Sequence, residues 1–202
     1  MRKIAALIFP QFETLDLFGP IELFGILDEH FEIATVAADD GPVASAQGPR
    51  SLVDNTFADP LDYDLLLVPG GRGTRKGVED AALLAWIAEA AAKAEIVMSV
   101  CTGSALLAKA GVLDGKRATT NKAAFGWVTE QSDAVDWVPQ ARWVEDGNCF
   151  TSSGVSAGMD MSLAVIARLC GEEIADQVAV WTEYEWHRQA DWDPFAKVHG
   201  LV

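Results

Sequence analysis

An α/β fold with a mostly parallel central sheet and helices on both faces is what this chain predicts, and three observations predict it. Short, wholly apolar runs recur along the sequence, segments with helical periodicity separate them, and several runs close on a glycine turn. Residues 3–9 read as the first strand. The stretch LDLFGPIELFGILDEH reads as a helix with Leu17, Phe18, Ile21, Phe24, Ile26 and Leu27 towards a core and Glu22 and Asp28 towards water. FEIATVA, 31–37, is the next strand, and a Gly, Pro and Ser-rich piece from Asp40 to Asp54 is a small hairpin or edge excursion. DYDLLLVPGG supplies a buried strand ending in a glycine turn, and a helix follows over 78–93. Residues 96–100 form another buried strand, and Ser104 to Ala110 a small-residue helix ending at Gly111. ATTNKAAFGWVTEQ passes from a short strand into a helix. From Val135 to Thr151 the pattern is β-like, with Asp146-Gly147 as the turn of a hairpin. Two helices complete the order, one on MDMSLAVIARLCG and one from Glu172 towards Trp186.

Size and charge narrow the function. At 202 residues and 50% hydrophobic letters, the chain can bury one substantial core as a single domain, 1–202. Its formal charge of -15 argues against binding a phosphate backbone or an anionic membrane and suits a small neutral or apolar substrate. Three cysteines without a C-x-x-C pair make poor material for a disulfide framework or a structural zinc site and fit a reducing cytoplasm. The opening MRKIAALIFPQFETLD is broken by Pro10, Glu13 and Asp16, so it reads as a strand and not as a secretion signal. No run approaches the roughly 20 apolar residues that span a bilayer.

EIVMSVCTGSALLAKAGVLDG concentrates the chemistry. It carries Cys101 from a buried strand directly into a helix start, where a tight turn projects a side chain out of the sheet and unpaired N–H groups favour a negative charge. An accessible and easily ionised thiol is expected there. Thr102 and Gly103 supply the small residues that a sharp elbow needs. In such a sheet the turns after the first strand, after LLLVP and after MSV share one edge, which makes Asp16, Gly70, Gly71 and Cys101 neighbours. The N–H groups of Gly70, Gly71 and Thr102 could then hold a developing anion, although Pro69-Gly70-Gly71 also reads as a simple turn. Burial beside a thiolate would raise the Asp16 pKa and make it a proton donor. Its local sequence alone better suits a helix N-cap or an early-turn carboxylate satisfying the dipole, and Glu13 and Glu22 are rivals.

His30, His187 and His199 are dispersed, none adjoins Cys101, and they offer no metal-ligand spacing. Cys149 and Cys170 read as structural, and the seven tryptophans as core packing.

VCTGSALLAKAGVLDGKRATTN, LLLVPGG, TLDLFGPIELF and SGVSAGMDMSLAVIARL together resemble the ThiJ/PfpI superfamily through almost the whole chain. That resemblance implies a flavodoxin-like fold similar to class I glutamine amidotransferases. Cys-Thr-Gly at 101–103, with an aspartate before Leu17-Phe18-Gly19-Pro20, looks most like the isocyanide hydratase branch and the related sensor domains of AraC-type regulators. The peptidase-like branch places a histidine after the cysteine, where this chain has Thr102. By position the resemblance makes Cys101 the nucleophile, Asp16 its carboxyl partner, Thr102 a neighbouring donor and Gly71 part of a backbone anion site. It implies isocyanide hydration through a thioimidate, with no metal or organic cofactor, in a homodimer. Asn121 stands where many relatives carry histidine, Ser152-Ser153 replaces a usual glycine pair, and WHRQADWDPF replaces a proline-rich tail. A cysteine-based redox or ligand sensor and a glyoxalase or deglycase-like enzyme are the competing readings. An AraC-type regulator is expected to add a basic DNA-binding module, and this chain of 202 residues with a formal charge of -15 shows none.

Overall fold

The computed structural model describes residues 1–60 and 62–202, and its elements follow the predicted alternation. β1 (Arg2–Leu7) leads to α1 (Thr14–Gly25), β2 (Phe31–Ala37), β3 (Val43–Ala44), β4 (Arg50–Ser51), β5 (Asn55–Thr56) and β6 (Leu65–Val68). Then come α2 (Thr74–Gly77), α3 (Ala81–Lys93), β7 (Ile96–Val100), α4 (Gly103–Lys109), β8 (Arg117–Ala118), α5 (Phe125–Thr129) and β9 (Asp136–Trp137). β10 (Trp143–Asp146), β11 (Cys149–Ser152), α6 (Ala157–Cys170), α7 (Glu172–Trp181) and α8 (Pro194–Val198) complete the order.

Seven strands form the main sheet in the order β10-β11-β7-β6-β1-β2-β5. All its pairings are parallel except β10–β11, the hairpin at Asp146-Gly147. β6 and β7 are buried at every position, which is why they read as apolar runs, interrupted only by Ser99 in β7, and not as alternation. α1, α6 and α7 pack together as one group of helices, and α2, α3, α4 and α5 as another. The excursion at 40–54 holds the antiparallel pair β3–β4.

Several expectations shift. The helix expected over 78–93 begins later, at Ala81, because Asp80 caps it by accepting from the N–H groups of Ala82 and Leu83. The last long helix stops at Trp181, and Glu183 then turns with φ +47°. On α1, Leu17, Leu23 and Phe24 are buried, whereas Phe18 is 39% exposed and Leu15 40%. The inward stripe is thus narrower than the list of apolar letters, and Phe18 belongs to the other face. Trp181 and Trp192 are also exposed, so core packing describes Trp86 and Trp143 but not all seven tryptophans. Cys149 is buried, and Cys170 is only partly so.

Candidate active site

Three parallel strands deliver the site, since the C-terminal ends of β1, β6 and β7 lie side by side. Each chain leaves its strand there by a turn and enters a helix, which brings Asp16, Gly70, Gly71, Cys101 and Thr102 into contact as predicted.

Cys101 is an elbow in the strict sense. Its φ is +58°, in the left-handed region that a non-glycine residue occupies only at a cost of about 1–3 kcal/mol. Its backbone hydrogen bonds hold it there. The Cys101 N–H donates to the carbonyls of Ser152 and Ser153 at 3.2 and 3.1 Å, and its carbonyl accepts from the hydroxyls of Thr120 at 2.9 Å and Ser104 at 3.1 Å. Gly103 permits the turn, because a Cβ there would lie 2.3 Å from the Val68 carbonyl oxygen.

Asp16 stands in the first turn of α1 but does not serve that helix. Its Oδ2 accepts from the Gly70 N–H at 3.0 Å, and its Oδ1, fully buried, has no partner in hydrogen-bonding geometry. The carboxyl lies beside the Cys101 thiol, close enough that each perturbs the other's ionisation. Burial is the main cause of the Asp16 shift and lifts its pKa to about 8, so the acid is protonated at neutral pH.

The easily ionised thiol expected at the helix start is corrected. Cys101 is only 7% exposed, and burial, followed by the neighbouring carboxylate, pushes its pKa well above the ordinary thiol range. The backbone N–H groups of Thr102 and Val155, near the sulfur, act the other way. α4, just seven residues long, does not offset the desolvation. Protonation of Asp16 removes the like-charge push and leaves burial against two N–H donors.

Two of the three N–H groups suggested for an anion site are already engaged, a second correction. Gly70 N–H holds Asp16, and Gly71 N–H donates to Thr102 Oγ1 at 3.1 Å. Thr74 adds its hydroxyl 3.1 Å from the same oxygen. Gly70 must be glycine for packing, since a Cβ would come 2.6 Å from Thr102 N and 2.8 Å from Asp16 Oδ2.

Val155 was missed by the sequence reading. This β-branched residue has φ +47°, a rare state that carries no sequence signature, and it aims its N–H at the nucleophile. Asn121 holds its own loop: its Oδ1 accepts from the Ala124 N–H at 3.0 Å. Asp160, in the first turn of α6, is buried against Arg142 at 2.6 Å and accepts from the Tyr184 hydroxyl and the His187 N–H. Among the described residues, no group of three or more His, Cys, Asp or Glu side chains is arranged to hold a metal ion.

A doubly wound α/β sheet presenting a buried cysteine on a strained strand-to-helix elbow beside a protonated aspartate defines an elbow-cysteine protein of the amidotransferase-like kind. The chain belongs to the DJ-1/PfpI family, whose model matches residues 2–168. It is 38% identical over 183 residues to an isonitrile hydratase of Pseudomonas putida, spanning 90% of this chain and 78% of that one. It is 29% identical to the HTH-type transcriptional regulator CdhR of Pseudomonas aeruginosa, of which it spans 52%. The crystal structure of a ThiJ/PfpI family protein from Pseudomonas syringae superposes with a TM-score of 0.83 at 34% identity, covering 91% of this chain and 75% of that one.

Proposed function

We propose that the protein is a hydratase that converts isocyanides to N-substituted formamides. The pairing of Asp16 with Cys101 at the elbow carries this reading, supported by the 38% identity to an isonitrile hydratase. The Cys101 sulfur attacks the terminal isocyanide carbon and forms the S–C bond, while the thiol proton passes through Asp16 to that same carbon. The product is a thioimidate, R–N=CH–S–Cys101. Water then adds to the imine carbon, the nitrogen takes a proton, and the C–S bond breaks to release R–NH–CHO and restore the thiol. The net change is addition of one water.

Asp16 is suited to the proton transfer because it stays protonated near neutrality and leaves Oδ1 without another partner. Charge on sulfur is met by the N–H groups of Thr102 and Val155. Gly70 and Gly71 position the acid and Thr102, and so act through other groups. The substrate is small and neutral or apolar. A homodimer is part of the same reading, and the outward Leu15 and Phe18 of α1 offer an apolar face for a second copy.

Purified protein given an aryl isocyanide should yield the matching formamide by mass spectrometry, and Cys101→Ala should yield none. Failure of the wild type to form any formamide while it hydrates methylglyoxal defeats the hydratase reading.

A further inference from the structure

A cavity of about 660 Å³ lies outside the elbow, and Cys101 is not part of its lining. Phe9 and Pro10 from the turn after β1 and Leu83 from α3 give it an apolar floor. Arg72, Arg75 and Lys76, from the turn after β6 and from α2, stand on its wall. Three cations within five residues are conspicuous in a chain with twice as many acidic as basic side chains, 30 against 15. Among the described residues none of the three forms an ion pair. Arg75 is held in place by its guanidinium lying over the Trp127 ring, 3.3 Å from the centroid. Asp80 also lines the cavity, but its Oδ1 is turned to the N–H groups opening α3.

We propose that this cavity binds an organic monocarboxylate with an aromatic or branched hydrocarbon body. Unpaired guanidinium groups match a carboxylate as a planar, bidentate partner. The apolar floor and a volume within the usual range of small-molecule pockets match the body. A bare inorganic anion leaves that floor wet, and a polyphosphate brings more charge than three cations and one carboxylate complement. The site is independent of the isocyanide chemistry, although α2 adjoins both places through the Thr74 hydroxyl, 3.1 Å from Thr102 Oγ1.

Titration calorimetry with 4-phenylbutyrate, its neutral alcohol 4-phenylbutanol, acetate and inorganic phosphate tests this on wild type and on the double variant Arg72→Gln with Lys76→Gln. Both replaced side chains are exposed, so the variant keeps its melting temperature. 4-Phenylbutyrate should bind at least about tenfold more tightly than the alcohol, acetate or phosphate, the double variant should lose at least about tenfold, and Cys101→Ala should bind like wild type. Equal binding of acetate or phosphate, equal binding of the alcohol, affinity unchanged in the double variant, affinity lost in Cys101→Ala, or no binding at millimolar concentrations overturns the proposal.

Discussion

The Asp16 carboxyl and the Gly70 N–H, 54 residues apart in the chain, meet at 3.0 Å in a place closed to solvent. One carboxylate oxygen is thereby fixed, and the other is buried without a hydrogen-bond partner. The acid is therefore placed by the turn after β6, and the nucleophile by the turn after β7.

Asp16→Asn separates the two effects of this contact. The variant keeps an acceptor for Gly70 but can neither carry a like charge nor pass a proton. Its thiolate should appear at lower pH than in wild type, read by ultraviolet absorbance, because the carboxylate that raises the Cys101 pKa is gone. Formamide production should nevertheless fall by about 10²–10⁴-fold. Unchanged turnover would remove Asp16 from the proton path.

Stability should fall as pH rises from 5 to 8. The unfolded Asp16 is ionised throughout that window, while the folded one retains its proton up to about 8, so the native state holds more protons and is favoured at the acid end. The contribution is at most about 1.4 kcal/mol per pH unit and is removed by Asp16→Asn. Lys122, buried and lowered to about 8, acts in the opposite sense, but only above this window. Urea midpoints at pH 5, 6.5 and 8 in both proteins check the difference.

Thr102→Val keeps the side-chain volume and deletes the acceptor of the Gly71 N–H. Leaving that part-buried donor unpaired should cost about 1–3 kcal/mol, and thermal melts should show it. Thr102→Ser restores the acceptor and should recover most of the loss.

Arg142→Met should cost about 3–5 kcal/mol, because Asp160 is then a buried charge without its cation. Adding Asp160→Asn, which removes the charge but keeps an oxygen for the Tyr184 hydroxyl and the His187 N–H, should return part of it. A urea series on the two variants tests the pair, and equal stability of both would show that the ion pair is not what Arg142 contributes.

Much of the architecture was legible because β6 and β7 are buried on both faces, and total burial leaves an apolar run that no amphipathic element imitates. The β10–β11 hairpin was legible through Asp146-Gly147, where Gly147 has φ +64°. Cys101 stood out because an elbow needs the small residues that follow it. Other features depend on contacts between distant segments. The Cys101 ionisation is set by how deeply the elbow is packed, which the helix start alone does not reveal. The use of the Gly70 and Gly71 N–H groups depends on side chains from α1 and from the start of α4. Val155 bends backwards without glycine, so nothing in its letter announces it. Phe18 was misassigned because α1 has apolar side chains on both faces, and only the packing decides which one is covered.

The margins of the main sheet bear on self-association. β5, at one border, is two residues long, and β10, at the other, is four, with the N–H of Trp143, its first residue, and that of Arg142 just before it donating to the Ala190 carbonyl at 3.2 and 2.7 Å. A neighbouring chain seeking to add a strand finds little unsatisfied ladder at either border, so growth into fibrils by edge pairing is discouraged.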